Sequence, residues 1–170
     1  MIVKNKKGFT LIELLAVIIV LGVILIIAVP SVTGYIEDSR KKTYIRSAEG
    51  YVEGVKDMIV SRDISVKRKD TTYYIPIEYI PIDKGGDSPY GDWVAAYVVV
   101  IYEDSEYKYY WTSVDETGHK ISLMSIGDIT PDSIIVDSTK LINNRKAIGN
   151  REKIYILESD GKFSEMTPVE

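Results

Sequence analysis

Residues 8 to 13, Gly-Phe-Thr-Leu-Ile-Glu, place a single carboxylate inside a run that is otherwise oil. From Phe9 to Val29 the only ionisable side chain is Glu13, and no Lys or Arg lies between residues 8 and 39. An acid at membrane depth costs on the order of 2.5–3.5 kcal/mol, so Glu13 calls for a cation that this stretch lacks. Cutting the chain after Gly8 would create one. The new amino group on Phe9 would sit about one helical turn from Glu13. That pair is cramped within one helix and natural between two staggered copies of it. Gly8 suits such a cut, since a glycine lets a protease approach the backbone closely.

Other groups that could do chemistry are sparse. His119 is the only histidine, and it falls in a turn with no thiol or serine motif to serve. Its expected role is that of a turn residue, and the chain is expected not to be an enzyme. Asp83, Asp87 and Asp92 in "DKGGDSPYGD" are weak candidates for calcium ligands. Their spacing matches no EF-hand, and Asp and Gly are common in plain turns. No other metal or cofactor is expected. There are no cysteines, which excludes disulfides, zinc-thiolate sites and thiol catalysis. A formal net charge of −4 gives no support for a basic nucleic-acid-binding surface.

The run that carries Glu13 is long enough to cross a bilayer. Twenty-one helical residues rise about 31 Å, against roughly 30 Å of hydrocarbon. A secretory signal would have a shorter apolar centre and a small-residue cleavage site after it. This run instead reaches Pro30 with no A-x-A-like site and passes into an amphipathic helix. Lys4, Lys6 and Lys7 abut the span directly, whereas Arg40, Lys41 and Lys42 lie a dozen residues beyond it. The asymmetry favours an inside N-terminus and an outside C-terminal part. Pro30 removes the helical donor of the Ile26 carbonyl. With Gly22 it makes residues 22 to 30 the weakest part of the span, or else an ordinary membrane-helix kink.

Beyond Pro30 the periodicity predicts that the helix continues to about Ser61, roughly 80 Å in all. Ile45, Ala48, Val52, Val55 and Ile59 recur at 3-4-3-4 spacing, with Tyr44, Tyr51 and Met58 widening the stripe on one flank. Such a seam covers another element's apolar face. "EDSRKK" (37 to 42) carries five charges and no stripe. Gly50 and Gly54 have GxxxG spacing, a pattern that can simply permit close packing. Three β-branched and aromatic runs follow, at 93 to 102, 107 to 114 and 120 to 126, separated by turns at "EDSE" and "ETGH". The run at 93 is apolar on both faces and therefore central. "KIYILESDGKF" predicts a further hairpin around Asp160-Gly161. Residues 64 to 92 read as an extended connection with a short strand at 72 to 75. A short helix near Thr139 to Arg145 is the one expectation within the polar stretch 127 to 151. The fold expected is α+β: a long N-terminal helix packed on a small antiparallel β-meander head. The divisions are a leader at 1–8, a span at 9–30, an amphipathic helix at 31–62 and a head at 63–170.

"KKGFTLIELLAVIIVLGVILIIAVP" (residues 6 to 30) resembles the N-terminus of type IV prepilins. The resemblance implies that a prepilin peptidase removes Met1 to Gly8 and N-methylates Phe9. It implies that Glu13 pairs with the Phe9 amine of a neighbouring subunit, and that Gly22 and Pro30 are the family's helix-loosening residues. The partners implied are identical or related pilin subunits in a helical filament, the peptidase and an inner-membrane assembly platform. The precursor would be a single-pass membrane protein with its N-terminus inside, later part of an extracellular filament. The missing cysteines depart from members that staple their C-terminal loop with a disulfide, and fit families from Gram-positive bacteria better. Beyond about thirty residues the resemblance is one of layout only. Pilin and pseudopilin of a secretion or competence system both stay open. The reading from a different class is a monomeric, membrane-anchored extracellular binding protein that merely carries an acid in its anchor.

Overall fold

The computed structural model describes residues 8–69, 71–81, 85–137, 153–158 and 161–166. The chain divides into two units, Met1–Ser39 and Arg40–Glu170. One helix, α1 (Leu11–Ser61), begins in the first and ends in the second. The fold is α+β: a long apolar N-terminal helix followed by an antiparallel sheet.

In the first unit α1 has no apolar partner. Leu11, Ile12, Ile26 and Ile27 are all at least 70% exposed. An 18-residue window reaches a mean hydropathy of 3.3 with none of it buried. The helix runs through Gly22 and Pro30 without a break. Past the proline, Ser31 Oγ donates to the Ile27 carbonyl at 3.3 Å, and Thr33 Oγ1 donates to the Pro30 carbonyl at 2.9 Å.

The second unit is the head. Its described strands are β1 (Thr72–Pro76), β2 (Trp93–Glu103), β3 (Glu106–Asp115), β4 (His119–Ser125), β5 (Ile135–Val136), β6 (Tyr155–Leu157) and β7 (Phe163–Glu165). They form one sheet in the order β5-β4-β3-β2-β1-β6-β7, every pairing antiparallel. β2 is the middle strand and is buried on both faces, as its sequence predicts. The β2–β3 turn places Asp104 and Ser105 at φ 52° and 67°. Two consecutive left-handed residues match the twist of a tight hairpin. The β3–β4 turn uses Gly118 at φ 89°.

The helical half in the head lies on one face of the sheet, and the buried stripe is wider than its 3-4 spacing suggests. Ala48, Val52 and Val55 are buried as expected, and so are Tyr44, Tyr51 and Met58 on the flank. Ile45 and Ile59 are only half-buried, at the margin. Aromatic packing explains the shift. Tyr44 meets the Trp93 ring edge-on at 4.8 Å, and Tyr51 stacks on Trp111 at 5.8 Å. Rings of that size, packed with this geometry, contribute more than the aliphatic residues at the rim.

The segment 64 to 92 is more than a connection. It supplies β1 to the interior of the sheet, and Ile64, Val66, Ile75, Ile77 and Ile80 to the core. It also presses on α1. A side chain at Gly85 would overlap the Tyr51 ring, and a Cβ at Gly54 would meet Ile80 Cγ2 at 2.7 Å. Gly54 therefore does permit a close approach, by the loop. At the C-terminus, β6 and β7 form the expected hairpin, with Gly161 at φ 80°. The helix expected near Thr139 to Arg145 lies outside the described residues.

Candidate assembly site

The first described residues, Gly8 and Phe9, are exposed. A Cβ placed on Gly8 would meet nothing within 4 Å. Phe9 is 86% exposed. A peptidase acting on the Gly8–Phe9 bond would meet no obstacle among the described residues.

Glu13 has a polar partner inside the chain, Thr10, in place of a cation. The Thr10 N–H and hydroxyl both donate to Glu13 Oε2 at 2.9 Å, and the Glu13 N–H donates to Thr10 Oγ1 at 3.3 Å. This is a reciprocal capping arrangement, which satisfies orphan donors at a helix start. The signal lay in the sequence as Thr-x-x-Glu, directly before the apolar run. The carboxylate is thus held at the N-terminal end of α1, where the helix dipole favours negative charge. Both donors use one oxygen, so the group keeps acceptor capacity for a further donor. Gly22 faces open space, as does Gly34.

The head holds the other polar centre, and sequence reasoning missed it. Asp115, at the end of β3, is fully buried. Its Oδ2 accepts from Ser88 Oγ at 2.7 Å, and its Oδ1 accepts from Thr117 N, Thr117 Oγ1 and His119 N at 3.0, 2.8 and 3.0 Å. Four donors make burial of the charge tolerable. They tie the 88–92 loop to the β3–β4 turn. His119 opens β4 and is no mere turn residue. It stacks on Tyr90 at 3.6 Å, and the Arg40 guanidinium lies 5.8 Å from the same Tyr90 ring. Ser88, Asp115 and His119 have the residue types of a hydrolase triad but not its order. The serine hydroxyl is bonded to the carboxylate directly, and the imidazole Nδ1 lies instead 2.7 Å from Thr117 Oγ1, which itself donates to Asp115. "DETGH", with hydrogen-bonding residues spaced around a turn, was the available sequence signal.

The calcium candidates do not form a cluster among the described residues. Asp83 lies outside them. Asp87 accepts from Ser47 Oγ through its backbone carbonyl, and Asp92 accepts from Glu116 N in the same way. Nearby, burial pushes the Tyr44 phenol well above its usual range, against the opposing effect of its hydrogen bond with Ser113.

An exposed glycine-aromatic junction, a capped glutamate and an uncovered span-length helix define a membrane-anchored protein with an α+β head. Residues 3–29 match the family model described as the prokaryotic N-terminal methylation motif. The N-terminal segment therefore carries a prepilin-type methylation motif. The chain is also similar to a ComG operon protein 3 homologue of Bacillus licheniformis, with 39% identity over 57 residues. That match covers 34% of this chain and 55% of the relative, so it spans little more than half of the relative's own length. No solved structure matches the chain.

Proposed function

We propose that this chain is a structural subunit of a type IV pilus or pilus-like filament, of pilin or pseudopilin kind. It is cut after Gly8, N-methylated on Phe9 and assembled through its N-terminal helix, without a catalytic role and without a resident cofactor. The observation that carries the reading is Glu13, the only charge in an otherwise uncharged span, set four residues after an exposed Gly8–Phe9 junction. A membrane anchor alone needs neither feature, and an acid there costs stability. In the filament the Phe9 amine of one copy would meet the Glu13 carboxylate of another, turning two costly charges into one pair. A subunit out of register would leave both charges unpaired, so the pair selects geometry more than it adds stability.

The partners would be the prepilin peptidase, an inner-membrane assembly platform and further copies or relatives of this subunit. The precursor would sit with its leader inside and its head outside, and the mature chain would pass to an extracellular filament. The similarity to a ComG operon product of a Bacillus supports a pilin-like subunit from a Gram-positive bacterium. It also favours this reading over a solitary anchored binding protein. Mass spectrometry of the mature protein tests the proposal. It should find a methylated Phe9 as the N-terminus, with residues 1 to 8 absent. A mature chain that begins at Met1, or that is cut beyond residue 29, would overturn the assignment.

A further inference from the structure

α1 ends in a turn that usually calls for glycine, and here it holds an arginine. The Arg62 N–H donates to the Ile59 carbonyl at 3.3 Å, and the Asp63 N–H donates to the Met58 carbonyl at 2.9 Å. These are the two bonds of a Schellman motif, whose left-handed position is most often glycine. Arg62 occupies that position at φ 69°, a conformation that strains any residue with a Cβ. Strain of this kind concentrates at binding and switching sites.

Arg62 lines a cavity of about 570 Å³ beside the end of α1. Ile59, Val60 and Tyr79 supply apolar surface to it, and Lys67 and Asp63 supply its other charges. Asp63 accepts from the Ser61 hydroxyl at 2.5 Å. Neither Arg62 nor Lys67 has an ion pair among the described residues. The cavity therefore carries an excess of positive charge, on a chain whose formal net charge is −4. Tyr107 lines it as well. Among the described residues, the Tyr107 hydroxyl is the one buried side-chain polar atom with no hydrogen-bond partner. A phenol can donate, so the wall holds a hydrogen bond that the chain leaves unmade, at a cost in stability. Lys67 also borders an adjoining cavity of about 420 Å³. The acids there are already engaged: Glu158 accepts from Ser164 Oγ at 2.6 Å and Glu165 from Lys153 Nζ at 2.5 Å.

We propose that the cavity at the end of α1 binds a small anion carried on an apolar body, a carboxylate or a phosphate attached to a ring or short chain. Arg62 and Lys67 take the anionic group, Tyr107 donates to it, and Ile59, Val60 and Tyr79 cover the body. The volume suits such a ligand, since small-molecule sites are clefts of roughly 300–1,000 Å³ with apolar walls and a few convergent polar groups. The polar groups choose the sign. Three donors face the space, and its single carboxylate is held by the Ser61 hydroxyl. The site belongs to the head and stands whether or not the chain polymerises.

Fluorine NMR of the full chain in detergent micelles provides the test, with 4-fluorophenyl phosphate and 4-fluorophenylacetate as probes. Neutral 4-fluorobenzyl alcohol measures partition of the ring into the micelle. At least one of the two anions should bind saturably, about tenfold or more tighter than the alcohol, and more weakly as salt rises. The tighter of the two distinguishes a phosphate ligand from a carboxylate. Lys67→Gln should weaken binding about fivefold, the scale of one exposed charge pair. Arg62→Gly should weaken it by a similar factor without lowering Tm, because glycine suits the left-handed turn. An arginine that served only the turn would leave affinity untouched. Tyr107→Phe keeps the ring and should weaken binding severalfold, also without lowering Tm. Absence of saturable binding by both anions, equal binding of the alcohol, or unchanged affinity in any of the three variants would overturn the site.

Discussion

Replacement of Asp115 by alanine should cost the head more than any other single polar change. The carboxylate accepts four hydrogen bonds, from Ser88 Oγ, Thr117 N, Thr117 Oγ1 and His119 N. Thr117 is exposed, so water can take over its two donors. Ser88 is 6% exposed, and the His119 N–H is directed at the fully buried carboxylate. Each buried donor left without a partner costs about 1–3 kcal/mol. Asp115→Ala should therefore lose about 2–5 kcal/mol. For a unit of this size, at about 3–5 °C per kcal/mol, that corresponds to a fall in Tm of about 6–25 °C. Asp115→Asn keeps one acceptor oxygen, and Ser88 can rotate to accept from the new amide, so it should lose about half as much. The assay is thermal unfolding followed by near-ultraviolet circular dichroism, where the Tyr90 and Trp93 environments report on the 88–92 loop. A shift of less than about 2 °C for Asp115→Ala would refute a structural role for the carboxylate.

Four further outcomes follow from the packing. Val52→Asp should unfold the head by placing an unpaired charge at a site 1% exposed. A fragment starting near Tyr35 with Val52 intact should be soluble and β-rich by circular dichroism, and an insoluble fragment would contradict the division of the chain. Gly85→Ala should destabilise the head by about 1–3 kcal/mol in denaturant titration, because the Tyr51 ring it would strike is itself stacked on Trp111. Finally, burial raises the phenols of Tyr44, Tyr51, Tyr74 and Tyr109. Their folded-state pKa values lie above the unfolded value of 10.0, so the stability they contribute is intact below pH 10 and lost as pH rises beyond it. Phenolate absorbance should lag in the folded protein above pH 10, and stability should decline over the same range.

How much of this was legible in the sequence depends on whether the deciding contact was local. The length of α1 could be read from periodicity alone, because apolar spacing of 3.6 is a property of the segment itself. The three long strands and the tight turn at Asp104-Ser105 could be read for the same reason. The interior position of β1 could not. Its short run ends at Pro76, and only the pairing of Thr72 to Tyr74 with β6 on its far side takes it off the edge. The preference of the core for Tyr44, Tyr51 and Met58 over Ile45 and Ile59 also needed Trp93 and Trp111, which lie more than 30 residues further along. At the proposed assembly site, Gly8, Phe9 and Glu13 stand out in the sequence by type and spacing. The Thr10 cap is equally visible as Thr-x-x-Glu, a partner that is polar and carries no charge. Asp115 gave no sign of its burial in the sequence, since nothing local shows that Ser88 reaches it.

The capping bonds sharpen the test of the central claim, because they give Glu13 a role that needs no second copy. Glu13→Gln separates the two roles. Glutamine serves in a capping box as glutamate does, so the Thr10 bonds and the start of α1 should be kept, but the charge is gone. Thr10→Val does the reverse. The measurement is the amount of sheared surface filament relative to processed subunit in the membrane, for Glu13→Gln, Thr10→Val and the unaltered chain. Pairing with the Phe9 amine of another copy predicts that Glu13→Gln accumulates processed in the membrane with little filament, while Thr10→Val still assembles. Normal filament yield from Glu13→Gln would show that the acid only caps its own helix, and would contradict assembly through the Glu13–Phe9 pair.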